Sequence, residues 1–385
     1  MSLKEALERK IIVCLGSGGV GKTTTAAVLA LEAARSGKKV LVMTIDPARR
    51  LRSALGIPEV GNFESRVDPA IFEAAGIPMA GEFHAMMLDT KSAFDDVIAR
   101  VAPDGATHDA ILKNRLYQYV STTLAGSREY VAAERLYDIY RRGVYDLVVV
   151  DTPPTKNALD FLEGPGRMSK FLDDRIMKIF LLPMTAGSGL KEAFIRRTSA
   201  VIYRILAVVF GDQFLGDMNS FVWNFRDMYG EFRRRADDLS AILRSDAAAF
   251  MLVTSLEKER THEAGYLARQ LLGRGYRLNG VVINRVNTVA LGAAPVSPEE
   301  IEKAFFPDVC DADRPLARRT AALLVRRFDY LRESARRDAG AVAALAASWG
   351  AKKGVHTVPA FDADIHDLKG LDLFRKTLFD GLAGG

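Results

Sequence analysis

The 385-residue sequence predicts an α/β fold in which a mostly parallel sheet is flanked by helices. Short, nearly continuous apolar runs recur along the chain, and such runs are typical of strands that are buried on both faces of a parallel sheet. Helical patterns lie between the runs, as in residues 24–39, and this spacing indicates β-α-β units. The predicted strands are residues 11–15, 40–46, 147–151, 250–254, 280–285 and 355–361, with a weaker one at 83–89.

Three long intervals without strand signals, residues 90–142, 166–245 and 299–349, are predicted to be helical insertions. Because strands continue after each of them, we predict one domain over residues 1–385, with the insertions forming a helical subdomain. Residues 171–225 are rich in Phe, Met and Ile, which suits either a closed core or a hydrophobic groove for a partner. Residues 313–338 carry eight arginines, which form either a solvated face or a surface for an acidic partner or an anionic membrane.

Composition excludes several classes of protein. Hydrophobic residues make up 49% of the chain, which is enough to form a hydrophobic core, so disorder is not expected. The net charge of +5 is too small to indicate a specific nucleic-acid partner. Cys14 lies in an apolar strand and Cys310 stands alone, which argues against a disulfide framework or a zinc site. Without a signal peptide or a long apolar span, the chain is predicted to be cytoplasmic.

A glycine-rich loop follows the first predicted strand and opens a helix. Its sequence, GSGGVGKT at residues 16–23, fits the pattern GxxxxGK[ST] of a phosphate-binding P-loop. Glycines let backbone N–H groups approach phosphate oxygens, and the helix N-terminus favours negative charge. Lys22 is predicted to reach the β- and γ-phosphates of ATP or ADP, and the Thr23 hydroxyl to bind Mg²⁺. The predicted phosphate contacts are Gly18, Gly19, Val20, Gly21, Lys22, Thr23 and Thr24.

Two predicted strands end in an aspartate, Asp46 and Asp151. Ligands of α/β proteins bind at the carboxyl ends of parallel strands, so both carboxylates are expected near the phosphates. A carboxylate there can hold Mg²⁺ through water or orient the attacking water. Asp46 and Asp151 therefore join Thr23 in the predicted metal site.

Several segments, taken in sequence order, resemble the ArsA-type ATPases. They are GSGGVGKTTTA at 16–26, TIDPA at 44–48, DTPPT at 151–155, LNGVVINRV at 278–286 and VPAFDADIHDL at 358–368. This family includes the ATPase of the arsenite pump and the ATPase that targets tail-anchored membrane proteins. It belongs with the MinD/ParA-like dimeric P-loop proteins, so the resemblance implies a P-loop NTPase fold.

The resemblance implies an ATP-hydrolysing dimeric switch whose nucleotide state controls a helical region that binds a partner or client. The client could be a hydrophobic protein segment or a membrane surface. Asp46 is implied to orient the hydrolytic water and Asp151 to lie near Mg²⁺. Asn284 is implied to contact adenine, within a pocket that includes Pro359 and Phe361; a turn residue at a strand end is the alternative for Asn284.

The second residue of the loop departs from the family pattern, because Ser17 stands where a lysine normally reaches the phosphates of the partner subunit. Hydrolysis needs fixed positive charge near the transferred phosphoryl group. We predict that Lys156 supplies this charge, with Arg49 as the second candidate. The alternative is a weakly catalytic subunit that forms a heterodimer with another P-loop ATPase instead of a homodimer. A third reading is an adaptor that binds membranes or hydrophobic protein segments.

Overall fold

The computed structural model describes residues 2–45, 50–55, 62–102, 104–115, 117–118, 121, 127–154, 161–162, 211–288, 294–349 and 354–380. Within them, eight strands form one sheet in the spatial order β3-β4-β2-β5-β1-β6-β7-β8. The strands are β1 (Ile11–Gly16), β2 (Lys39–Thr44), β3 (Ser65–Arg66), β4 (Glu82–Met87), β5 (Leu147–Asp151), β6 (Ala248–Thr254), β7 (Leu278–Val286) and β8 (Gly354–Pro359). All neighbouring pairs are parallel except β3 and β4.

The predicted fold class is confirmed, and each of the seven predicted strands is present. Three of them end earlier than predicted, because the strand pairing of β2 stops at Thr44, that of β4 at Met87 and that of β8 at Pro359. The sequence pattern missed β3, whose two exposed residues, Ser65 and Arg66, carry no apolar signal.

Twelve helices are described around this sheet. They are α1 (Leu3–Leu7), α2 (Lys22–Arg35), α3 (Arg50–Leu55), α4 (Pro69–Ala74), α5 (Thr90–Val101), α6 (Gly105–Lys113), α7 (Ser127–Arg142), α8 (Asp212–Arg244), α9 (Lys258–Gly273), α10 (Pro298–Phe305), α11 (Arg314–Ser348) and α12 (Leu368–Asp380). Among the described residues, none of these helices combines the length and the apolar character needed to cross a bilayer.

The sheet separates two hydrophobic cores, because successive side chains of a strand point to opposite faces. In β1, Ile11, Val13 and Leu15 belong to one core, whereas Ile12 and Cys14 belong to the other. All six residues of β1 and all seven of β6 are buried, as expected for central strands covered on both sides.

The described parts of the three predicted insertions are helical and contribute α5 to α8, α10 and α11. Helix α8 is joined to α7 by polar contacts: Arg235 Nε lies 2.7 Å from Glu134 Oε2, and the Tyr137 hydroxyl donates to Asp238 Oδ2 at 2.8 Å. Phe221 and Met228 of α8 are buried in the core. The rest of the Phe- and Met-rich stretch, residues 171–210, lies outside the described residues, so the choice between groove and closed core stays a prediction.

Helix α12 holds α2, the helix behind the P-loop, through one buried cation. The Arg375 side chain is 4% exposed. Its Nε donates to Asp372 Oδ1 at 2.7 Å, and one terminal nitrogen donates to Glu32 Oε2 of α2 at 3.1 Å. Burial alone would raise the pKa of Asp372, but hydrogen bonds from Lys376 and Arg375 outweigh it and keep the pKa below its ordinary value.

Replacing Arg375 is therefore expected to destabilise the fold. Arg375→Met removes the cation that Glu32 and Asp372 share, and should lower the free energy of unfolding by about 3 kcal/mol in urea denaturation. Lys376→Met is the matched control, because Lys376 Nζ also contacts Asp372, at 2.8 Å, but its side chain is 61% exposed. Its loss should stay below about 1 kcal/mol. Equal losses for the two variants would contradict the assigned role of Arg375.

Candidate functional site

The loop between β1 and α2 lies at the carboxyl edge of the sheet and ends in left-handed backbone. Gly19 has φ +78° and Gly21 has φ +94°, conformations that favour glycine. Gly21 is the N-cap of α2 and offers no side-chain cap to the first N–H groups of the helix. Those donors need partners, so the loop and the helix start together form a site suited to an anion.

A second constraint on Gly21 comes from β7. A Cβ atom added at Gly21 would lie 2.3 Å from Asn284 Nδ2, closer than real contacts allow. Asn284 is 7% exposed; its Nδ2 donates to the Val20 carbonyl at 2.9 Å, and its Oδ1 accepts from the Arg285 N–H at 2.9 Å. Asn284 thus ties β7 to the P-loop, while its amide retains one N–H and one acceptor lone pair.

The position of Asn284 depends on an irregularity in β7. The pairing register of β7 with β8 shifts between Ile283 and Val286. Within this bulge Arg285 has φ +60°, and it is the one described non-glycine residue with positive φ. Such a conformation costs about 1–2 kcal/mol for an L-residue. Strained backbone of this kind often occurs at functional sites.

The structure brings together three of the predicted phosphate and metal residues. Lys22 is 7% exposed, and its Nζ donates to the Ser17 carbonyl at 2.7 Å. Asp151 is fully buried at the end of β5, and its Oδ2 accepts from Thr23 Oγ1 at 2.7 Å and from Thr44 Oγ1 at 2.9 Å. The parallel register explains this meeting, since Asp151 pairs with Cys14 of β1 and with Thr44 of β2.

The oxygen donors at this place fit Mg²⁺. The Thr23 hydroxyl and the Asp151 carboxylate are adjacent and lie at the start of α2. Mg²⁺ prefers oxygen ligands and is usually held by one or two protein groups, with water and phosphate oxygens completing the shell. Among the described residues, no cluster of three or more His, Cys, Asp or Glu side chains is arranged to hold a metal.

A cavity of about 510 Å³ opens beside these residues. It is lined by the P-loop with the start of α2, by the end of β7 and by the segment after β8. Its lining includes the predicted residues Gly18, Gly19, Gly21, Lys22, Thr23, Thr24, Asn284 and Phe361. Two predicted contacts do not line it: Val20 is buried in the core, and Pro359 ends β8 opposite Val286.

The cavity also has lining residues that were not among the predicted contacts, including Pro154, Arg285, Asp364 and His366. All four lie in segments that carry the family resemblance, at 151–155, 278–286 and 358–368. His366 Nδ1 lies 2.7 Å from the Asp364 carbonyl oxygen. Because a carbonyl only accepts, Nδ1 carries the proton and Nε2 of the neutral ring is an acceptor. The motif NRV at 284–286 contains Arg285, but its exposure to the cavity follows from the β7–β8 bulge, which no local pattern encodes.

Three predicted residues, Asp46, Lys156 and Arg49, lie outside the described residues. Asp46 follows Ile45, whose N–H donates to the Asp151 carbonyl at 3.0 Å. Ile45, the last described residue before this gap, therefore lies at the same sheet edge as Asp151.

Cys14 lies under the loop but is chemically inert. Burial raises the pKa of its thiol strongly, and the nearby Asp151 carboxylate raises it further, against a smaller opposite effect of Lys22. A thiol that stays protonated is neither a nucleophile nor a metal ligand.

A protein-family model described as "Anion-transporting ATPase" matches residues 9–290. The resemblance to ArsA-type ATPases that the sequence motifs predicted is thereby confirmed.

Curated relatives match about half of the chain or less. "ATPase ASNA1 homolog 1" from Paramecium tetraurelia is 29% identical over 175 residues, which cover 45% of this chain and 49% of that protein. "ATPase GET3" from Malassezia globosa is 29% identical over 163 residues, or 42% of this chain and 44% of that protein. "Putative arsenical pump-driving ATPase" from Halobacterium salinarum is 30% identical over 169 residues, which cover 43% of this chain and 25% of that protein. The chain thus spans about half the length of the first two relatives and a quarter of the third.

The close approach of Gly21 to Asn284 predicts a site-specific effect of substitution. Gly21→Ala should abolish stabilisation by MgADP in a thermal shift assay, because the new methyl group would displace Asn284 or the loop. Gly37→Ala is the matched control: Gly37 has the same φ of +94°, and a Cβ there meets nothing within 4 Å. It should cost about 1–2 kcal/mol of stability from backbone strain but keep the shift with MgADP. If both variants responded to MgADP alike, the contact with Asn284 would not matter to the site.

Proposed function

The chain belongs to the anion-transporting ATPase family, and we propose that it binds ATP or ADP with Mg²⁺ in the cavity beside its P-loop and hydrolyses ATP. The observation that carries the proposal is the meeting of Lys22, Thr23 and Asp151 at the start of α2. Lys22 neutralises charge on the β- and γ-phosphates, and Thr23 and Asp151 hold the metal directly or through water. Bound Mg²⁺ offsets phosphate charge during the transfer.

The base of the nucleotide occupies the far end of the cavity. Phe361 and Phe374, whose ring centroids are 6.0 Å apart, both line that end and supply apolar surface. Asn284 uses its remaining N–H and lone pair at the edge of adenine. Arg285 and Asp364 also line the cavity and supply polar groups. The planar guanidinium of Arg285 suits stacking or phosphate contact.

Asp46 orients the hydrolytic water. Support comes from the sheet: β2 and β5 are parallel neighbours, and Thr44 pairs with Asp151. The described end of β2 thus lies at the carboxyl edge of the sheet, where ligands of α/β proteins bind. A carboxylate at that place accepts a hydrogen bond from water and aims it at the γ-phosphorus.

The ATPase acts as a dimeric switch whose nucleotide state controls the helical region around residues 171–225, where a hydrophobic protein segment or membrane-surface client binds. The names of these relatives support ATP hydrolysis. The proposed dimer is a homodimer or a heterodimer with another P-loop ATPase. A second candidate follows from Ser17, which is 1% exposed and carries no charge. On that view the chain is a weakly catalytic subunit that depends on a second P-loop ATPase.

The proposed phosphate site can be tested through Lys22. MgADP at a hundredfold excess over its dissociation constant should stabilise the parent protein by about 2.7 kcal/mol. Lys22→Ala should remove most of this gain and abolish phosphate release from ATP, because the charge facing the phosphates is lost. Lys303→Ala, an exposed lysine of α10, is the control and should behave like the parent. Equal gains for Lys22→Ala and the parent would refute the site assignment.

The source of the catalytic charge can be tested through Lys156. If Lys156 replaces the missing lysine, Lys156→Ala should lower ATP turnover by about 10²-fold or more with little change in ATP affinity. Adding Ser17→Lys to that variant should restore part of the turnover. If Lys156→Ala changes nothing and the isolated protein does not turn over ATP, while a cognate P-loop partner restores turnover, the second candidate function is correct.

A further inference from the structure

Among the described residues, helix α11 has packing partners on one side. In its first half, Arg314 and Arg318 reach Glu302 of α10 at 3.9 and 3.4 Å. In its second half, Asp338 Oδ2 accepts hydrogen bonds from the backbone and side chain of Asn287, just beyond β7. Its fully buried residues are small, namely Ala317, Ala321 and Ala335.

The opposite side of α11 carries a regular line of exposed side chains, which we call the outer seam. It alternates spacings of four and three residues, the repeat that brings side chains to one stripe of a helix and allows a second helix to pack alongside. Leu316, Leu323 and Tyr330 of the seam are 65%, 56% and 57% exposed. The complete outer seam is Leu316, Arg319, Leu323, Arg326, Tyr330, Glu333 and Arg337, all exposed.

We propose that the outer seam docks a helix of a partner protein that presents apolar and acidic side chains in the same repeat. The seam holds three arginines against one acid, Glu333, so it complements a negatively charged partner. Its exposed leucines and tyrosine supply the apolar contact that association needs. Arginine forms paired hydrogen bonds with carboxylates while its aliphatic stem packs on apolar neighbours.

The arrangement of the seam favours a helix over a membrane. A helix that lies on a bilayer separates an apolar face from a basic one. Here leucines and arginines alternate along a single line, so insertion of Leu323 would carry Arg319 and Arg326 toward the hydrocarbon, at a high cost. The connection from α10 to α11 is also acidic, with Asp308, Asp311 and Asp313 exposed, and would be repelled by anionic lipid.

A second copy of this chain is a poorer occupant than an acidic helix. A parallel copy would place arginines opposite arginines, and an antiparallel copy would leave the surplus positive charge of both seams unpaired. The seam also lies beyond residue 290, where the match to the family model ends. The inference therefore goes beyond the proposed ATPase function and does not depend on it.

The test uses the full chain and two labelled helical peptides of about three heptads. The acidic peptide has leucine and glutamate alternating in the repeat of three and four, and the basic peptide has lysine in place of each glutamate. Binding is measured by fluorescence anisotropy at two salt concentrations. The acidic peptide should bind at least about tenfold more tightly than the basic one, and its affinity should fall with added salt.

Surface variants then locate the binding. Leu323→Glu should weaken the acidic peptide by about tenfold or more. The double variant Arg319→Glu with Arg326→Glu should reverse the preference in favour of the basic peptide. Arg336→Glu is the matched control, because Arg336 is an exposed arginine of α11 outside the seam, and it should leave the preference unchanged. Circular dichroism and the thermal shift with MgADP establish that each variant is folded.

Three results would overturn the proposal. The first is that the two peptides bind equally or not at all, or that the double variant Arg319→Glu with Arg326→Glu still prefers the acidic peptide. The second is a self-association of the protein, measured by light scattering, that Leu323→Glu abolishes, since the seam would then belong to a second copy. The third is binding to phosphatidylglycerol–phosphatidylcholine vesicles that depends on Leu323. If the protein binds MgADP normally but fails the peptide test, only the proposed docking at the outer seam is refuted. If it passes the peptide test but does not bind MgADP, only the proposed ATPase site is refuted.

Discussion

The close contact between the P-loop and β7 is the constraint on which the site depends. Gly21 must turn with φ +94°, and Asn284 Nδ2 occupies the space where a side chain at that position would begin. Asn284 reaches this place because β7 carries a bulge and Arg285 adopts φ +60°. The strain at Arg285 is offset by the hydrogen bonds that Asn284 makes to Val20 and to the Arg285 N–H. The same bulge exposes Arg285 to the cavity. This one irregularity of β7 therefore both supports the P-loop and contributes to the lining of the cavity.

The polar groups of the site are held in surroundings that strengthen electrostatic interactions. Asp151 is fully buried among apolar strand residues, yet it accepts hydrogen bonds from Thr23 and Thr44. Lys22 is nearly buried and touches the backbone of Ser17. Electric fields are screened less in a buried site than in water. Small displacements of a bound phosphate or metal ion would therefore have large energetic consequences here. Behind these groups, Arg375 joins α12 to α2 with a buried cation, so the helix that begins at Lys22 has firm support.

The cavity beside the P-loop and the outer seam of α11 are two separate surfaces with different chemistry. The cavity beside the P-loop lies at the carboxyl edge of the sheet, next to strands β1, β5, β7 and β8. The hairpin of α10 and α11 follows the region that matches the family model, and it leaves its arginine-rich outer seam uncovered by the described residues. The P-loop thus lies within the region that the family model matches, whereas the outer seam lies beyond it.

The sequence by itself determined the strands, the P-loop and the family, because each of these depends on residues that are neighbours along the chain. Apolar runs predicted seven strands, and the GSGGVGKT segment predicted the loop and helix start at which Thr23 meets Asp151. Only the tertiary structure decided which further residues join the predicted ones in the lining of the cavity. Val20 and Asn284 meet across 264 positions of sequence, and Arg285, Asp364 and His366 enter the lining through the pairing of β7 with β8 and the course of the chain after it. The same holds for α11: eight arginines were visible in the sequence, but the packing of α10 and β7 against one side of the helix decided that Leu316, Leu323 and Tyr330 face outward.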